Sequence, residues 1–185
     1  MKISIIGTSG RKNDNTNKLT PDLLEKMVKS ASSIIKEVFS QEENITLISG
    51  GAAWTDHVAV ILFLSSNKYK LKLYTPSPFD STKFKDTGVV DWRLNPGGTL
   101  NYYHRAFSKS LKKDTLEDIA KSIKKGAIID SEYSSFHQRN TIVAKSNIVI
   151  AYTWGDDYPI DGGTFDTWKK IPKESVKIHF SLKNL

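Results

Sequence analysis

Apolar residues alternate along this chain between two rhythms. Lys2–Ile6, Ile45–Ile48 and Ile148–Tyr152 are short runs rich in β-branched side chains, the pattern of strands buried on both faces. Between the first two, Leu23, Leu24, Met27, Val28, Ala31, Ile34, Ile35 and Val38 recur at three- and four-residue spacing, which puts one apolar stripe on a helix. Thr20-Pro21-Asp22 opens that helix with an N-cap, a proline at the first helical position and an acid in the first turn.

The same reading predicts a second helix over Val58–Leu64, a third strand over Lys70–Tyr74, and a helix over Leu116–Lys125 ended by Gly126. Ala127–Ile129 reads as a short buried strand, Phe136–Lys145 as a helix, Phe165–Lys170 as a short helix and Val176–Phe180 as a last strand. Strands alternating with helices imply an α/β fold, a three-layer sandwich with a mainly parallel central sheet in one domain spanning 1–185. The stretch from about 75 to 115 breaks the alternation with Pro76, Pro78, Gly88, Pro96, Gly97 and Gly98. It reads as an insertion with a helix over Leu100–Leu111 and a role over the binding site. Its Tyr102, Tyr103, His104, Arg105 and Phe107 are candidates either for ligand contact or for packing the insertion onto the domain.

In such sheets ligands gather at the carboxyl ends of the strands, so the turns there carry the candidate chemistry. Three are glycine-rich: Gly7-Thr8-Ser9-Gly10, Ser49-Gly50-Gly51-Ala52 and Gly162-Gly163-Thr164. Each lies between a strand and a helix start, where amides without intrahelical partners can bind phosphate. Arg139 is a candidate phosphate clamp, with a buried ion pair to Glu132 or Asp130 as its structural alternative. Asp56 can accept from ribose hydroxyls or cap its helix, Asn140 can read a base edge or brace the 49–51 loop, and Trp54 can stack on a base or cover an apolar edge.

Composition narrows the chemistry. With 185 residues and no cysteine, the chain can bury a core without disulfides, and thiolate metal sites and a cysteine nucleophile are excluded. The four histidines, His57, His104, His137 and His179, show no ligand-type spacing, so no metal and no obligatory cofactor is expected. The formal charge of +7 and pI near 9.4 suit anionic partners. No apolar run has transmembrane length and the N-terminal run is too short for a signal peptide, which predicts a soluble cytoplasmic protein without membrane contact.

Three of these segments resemble one group of proteins. Ser49-Gly50-Gly51-Ala52 with Asp56 and Ala59 is similar to the glycine signature of the DNA-processing protein DprA, also called Smf. Ser131-Glu132, Phe136-His137-Gln138-Arg139-Asn140 and Ile142-Val143-Ala144 resemble further segments of that family, and Gly162-Gly163-Thr164 resembles a turn shared with the LOG phosphoribohydrolases. The resemblance is to the SLOG superfamily, and it implies a Rossmann-like domain that takes a nucleotide or nucleotide-derived molecule as ligand or substrate. It also implies alternative roles as a nucleoside 5′-monophosphate N-glycosidase or a binder of single-stranded nucleic acid, and a homo-oligomeric state. Where the LOG motif carries a glutamate three residues after its threonine, this chain has Asp166 one position early. Asp166 and Glu132 are therefore the candidate catalytic carboxylates.

Overall fold

Six strands form a single sheet: β1 (Lys2–Gly7), β2 (Ile45–Ser49), β3 (Tyr69–Tyr74), β4 (Ile128–Asp130), β5 (Ile148–Thr153) and β6 (Val176–Ser181). The computed structural model describes residues 1–12, 14–38 and 44–185. The strand order is β4-β3-β2-β1-β5-β6 and every pairing is parallel, the arrangement of a Rossmann-like α/β protein. Helices α1 (Pro21–Val38), α2 (Thr55–Ser65), α3 (Pro96–Leu111), α4 (Thr115–Lys124), α5 (Phe136–Ala144) and α6 (Gly162–Lys169) complete it.

Period-two alternation along the strands sends neighbouring side chains to opposite faces. Ile3, Ile5, Leu47, Leu71 and Ile150 join a core with Met27, Val58, Phe107 and Ile119, residues of α1 to α4. Ile6, Ile48, Val149 and Ala151 meet Val143 and Ala144 of α5 and Ile171 beyond α6. With both faces covered, the central strands β1, β2 and β5 are largely apolar while the outer strands β3 and β6 keep lysines, and each fully buried Ile or Leu contributes roughly 1.5–3 kcal/mol. Helix α2 is buried from Thr55 to Val60, packed between α1, α4 and three strands. This is why it carries little amphipathic pattern and its first turn escaped the sequence reading.

Two expectations need correction. Strand β4 is not buried, because it pairs only with β3 at the edge of the sheet and leaves Ile128 60% exposed. Helix α3 begins four residues earlier than expected, at Pro96, where the Asn95 side chain accepts the Gly98 amide at 2.9 Å and proline takes the first helical position. Among the described residues no helix is long and apolar enough to cross a membrane.

The chain lays down β2, β3 and β4 on one side of β1, then returns to place β5 and β6 on the other. The reversal opens a crevice beyond the carboxyl ends of β1 and β5, where open parallel sheets bind their ligands.

Candidate functional site

A cavity of about 550 Å³ fills that crevice. Gly7 at the end of β1, Ala52 and Asp56 after β2, Arg139 on α5 and Gly163 on α6 line its base. The insertion supplies the opposite wall through Trp92, Thr99, Leu100 and Tyr103, so the 75–115 segment does lie over the site.

Two of the three glycine turns are already filled by carboxylates of the chain. Asp14, 5% exposed, accepts the amides of Ser9 (3.2 Å), Gly10 (3.1 Å) and Arg11 (2.8 Å) on one oxygen. The Thr8 amide bonds to the Tyr152 carbonyl at 3.1 Å. This loop therefore closes on its own anion and offers an external phosphate none of those four amides, while Ser9 still lines the cavity. Asp14 itself had no recognisable signal beyond being an acid a few residues after a glycine turn.

In the second turn, Ser49 is fully buried, its hydroxyl donating to the Asp56 carbonyl (2.8 Å) and accepting the Gly51 amide (3.1 Å). The Asp56 carboxylate accepts the Ala52 amide at 3.4 Å and also faces the Gly50 amide. Asp56 thus holds the turn in place of a ribose, and Ser49, Gly50 and Gly51 are framework, while Ala52 remains on the cavity wall. Gly50 is required because a Cβ there would run into the Arg139 guanidinium and the Asp56 carboxylate.

Arg139 is 7% exposed and lies 3.8 Å from Asp56, which replaces Glu132 and Asp130 as its ion partner. Asp130 instead pairs with Lys72 at 3.1 Å. Burial pushes the Asp56 carboxyl up, against the pull of Arg139 and the amides, and burial likewise pushes the Arg139 guanidinium down, against Asp56. Nη1 of Arg139 donates to Asn140 Oδ1 at 2.9 Å, whereas its buried Nε has no partner. Asn140 lines the cavity and braces α5 against α6, its amide donating to the Gly163 carbonyl (3.2 Å) and to Asp166 (3.1 Å).

The third turn differs from the other two. Gly162, Gly163 and Thr164 line the cavity and precede the first backbone bond of α6, which the Phe165 amide makes to Asp161 at 3.3 Å. Asp161 does not cap its own helix; its carboxylate binds Arg11 at 2.9 Å. The Thr164 hydroxyl donates to the Gly7 carbonyl at 2.8 Å, fixing the start of α6 against the end of β1. Gly162 has a positive φ of 65°, and a Cβ on it would meet the Arg11 guanidinium. Unlike the loops closed by Asp14 and Asp56, this helix start has no side-chain cap, and its residues line the cavity.

The remaining candidates leave the site. Trp54 is 4% exposed and packs on Phe107 with ring centroids 4.5 Å apart, so it is a core residue and stacks on no ligand. Glu132 is exposed and does not line the cavity, because the chain turns outward after edge strand β4. The Asp166 carboxylate is committed to Lys170 (2.8 Å), Asn140 (3.1 Å) and His137 (3.2 Å). Partial burial would raise its pKa, but the bonds from Lys170 and Asn140 outweigh that and hold it low. Within the insertion, His104 and Phe107 are fully buried, while Tyr103 reaches the cavity. Trp92 was not singled out from sequence, since a lone tryptophan in an irregular segment carries no periodic signal.

Fold and site together define a Rossmann-like α/β protein with one buried arginine and one uncapped helix start at its switch point. No protein-family model matches the chain. It is 36% identical over 184 residues to the uncharacterized protein R261 of Acanthamoeba polyphaga mimivirus, covering 98% of this chain and 96% of that protein. The chain belongs to the same family as that viral protein.

Proposed function

We propose that this protein binds a nucleotide or nucleotide-derived phosphorylated ligand, as a sensor or sequestering protein of the SLOG type. The observation that carries the reading is that Arg139 and the start of α6, which has no side-chain cap, line one cavity. An anion there would receive charge-assisted bonds from the guanidinium and the favourable end of a helix dipole. The cavity volume of about 550 Å³ is in the range of small-molecule sites. The cavity wall as a whole is largely apolar, which suits a ligand with a flat organic portion attached to its phosphate.

Binding is better supported than cleavage of the base–ribose bond. Asp166 is consumed by three hydrogen-bond donors, Glu132 lies outside the cavity, and Asp56 is bound to turn amides and Arg139. None is a free carboxylate poised for acid–base work.

The test is thermal stabilisation of the purified protein by a broad panel of nucleotides. At least one should raise the melting temperature, and Arg139→Ala should lose the rise, since a hydrogen bond to a charged group contributes about 1.5–3 kcal/mol. The variant's own lower melting temperature serves as its baseline. A panel in which no nucleotide produces a shift would overturn the reading.

A further inference from the structure

We propose that Trp92 and Phe136 form a stacking subsite for a planar nucleobase, opened by movement of the 86–95 strap and joined to the phosphate position through Arg139. The inference rests on the phosphate-binding reading above and adds to it where the base lies and how it is selected.

Both rings line the cavity, with centroids 6.1 Å apart and planes tilted by 44°. A base inserted between two parallel rings needs roughly 7 Å, twice the contact distance of about 3.5 Å between aromatic carbons. The pair is thus short of that spacing by about an ångström and a rotation.

That movement falls to the Trp92 side of the pair. Phe136 sits on α5, anchored by the Ser135 N-cap, whose hydroxyl accepts the Gln138 amide at 3.3 Å. Trp92 sits on a surface segment in which residues 85–94 are exposed, and is itself 46% exposed. The segment is tied at its base by Asn95, which donates to Asp86 (2.7 Å) and to the Val89 carbonyl (2.9 Å) and accepts the Thr87 amide (3.2 Å). Those bonds, with the Leu94 and Asn95 amides on the Asp91 carbonyl (3.0 and 2.9 Å), hold the turn that bears Trp92 together at the start of α3, so the movement proposed is of that turn as a unit.

Arg139 links the two ends of the site. Its guanidinium carbon lies 5.6 Å from the Phe136 ring centroid, and both residues line the same cavity. A ligand phosphate on Arg139 and α6 therefore has its attached base directed toward Phe136. On the other ring, Arg93 lies 4.9 Å above Trp92, an electrostatic support for a π surface that is otherwise half in solvent. The insertion's wall also contains Thr99, Leu100 and Tyr103, which provide area and two hydroxyls but no amide or carboxylate to read a base edge. Selection by this subsite consequently follows the area of the π face, favouring purines over pyrimidines with little distinction between adenine and guanine.

The experiment is calorimetric titration of wild type, Trp92→Ala and Trp92→Phe with adenosine, guanosine and cytidine 5′-monophosphates and with ribose 5-phosphate. Wild type should bind the two purine nucleotides about tenfold more tightly than ribose 5-phosphate, the scale of one stacked base, with the cytidine nucleotide between them. Trp92→Ala should bring all four ligands within about twofold, and Trp92→Phe should keep most of the preference. Trp92 is on the surface, so unchanged ribose 5-phosphate binding certifies each variant's fold. If Trp92→Ala binds the purine nucleotides as wild type does, the subsite is refuted while the phosphate reading stands. If wild type binds none of the four, or binds ribose 5-phosphate as tightly as the purine nucleotides, the subsite is refuted, and the broad nucleotide panel alone decides the phosphate reading.

Discussion

Replacing His104 by glutamine isolates a proton that the folded chain refuses and the unfolded chain accepts. His104 is fully buried, with Nε2 3.0 Å from the Gly51 carbonyl and Nδ1 2.9 Å from the Thr115 hydroxyl. The carbonyl can only accept, so Nε2 carries the hydrogen and Nδ1 accepts from Thr115, a satisfied neutral ring. Burial, with His57 nearby, lowers its pKa from 6.5 to about 3. A histidine whose folded pKa is depressed adds stability above its unfolded pKa and loses it as pH falls, here across the window from 6.5 down to about 3. Between pH 7.5 and pH 5 this residue alone costs about 2 kcal/mol, and over the full window about 5 kcal/mol. With a urea dependence of about 2 kcal/mol per molar, the first figure moves the unfolding midpoint by roughly 1 M. Glutamine can still donate to the Gly51 carbonyl but cannot titrate. His57, buried and also pushed down by desolvation, acts in the same direction, whereas Asp56, pushed up by burial, acts in the opposite one. Both remain in wild type and variant, so the difference between the two reports His104. Urea unfolding followed by tryptophan fluorescence at pH 7.5 and pH 5 should show the midpoint of wild type falling by about 1 M more than that of His104→Gln. Equal falls in the two proteins would refute the assignment of a neutral buried ring.

Gly50→Ala should destabilise the protein by about 1–3 kcal/mol in urea unfolding, because the new Cβ collides with Arg139 and Asp56 and both are enclosed. The same variant should weaken nucleotide stabilisation, since Arg139 must move to make room. Trp54→Ala should cost about 3–5 kcal/mol as a core truncation, with the residual nucleotide-induced shift unchanged, because Trp54 packs on Phe107 away from the cavity. A Trp54→Ala protein of wild-type stability would contradict its place in the core.

The viral relative matches this chain nearly end to end, so the fold, including the insertion that bears Trp92, is expected to be common to both. What distinguishes the site is how the three glycine turns divide their work. Two are closed by internal aspartates, Asp14 and Asp56, which take the amides that a phosphate would otherwise use. The third has no side-chain cap and lines the cavity with Arg139. A glycine turn at a strand end is thus not by itself an anion site. The occupant of its amides is set by whichever carboxylate the tertiary fold brings near.

The alternation of buried runs and amphipathic stripes was enough to establish a parallel α/β sheet, its strand positions and most helix spans, because those depend on side chains a few residues apart. Strand order, the exposure of Ile128 and the full burial of α2 required the complete sheet, since they depend on which elements become neighbours. The site was legible only in its outline. Arg139 and the turn at Gly162–Thr164 were recognisable from residue type and position, and both line the cavity. The partner of Arg139, the self-closure of the Asp14 and Asp56 loops, the withdrawal of Trp54 into the core and the arrival of Trp92 over the cavity were not. Each of these joins residues that are distant in sequence or turns on a side chain's direction, and only packing in three dimensions decides such pairings.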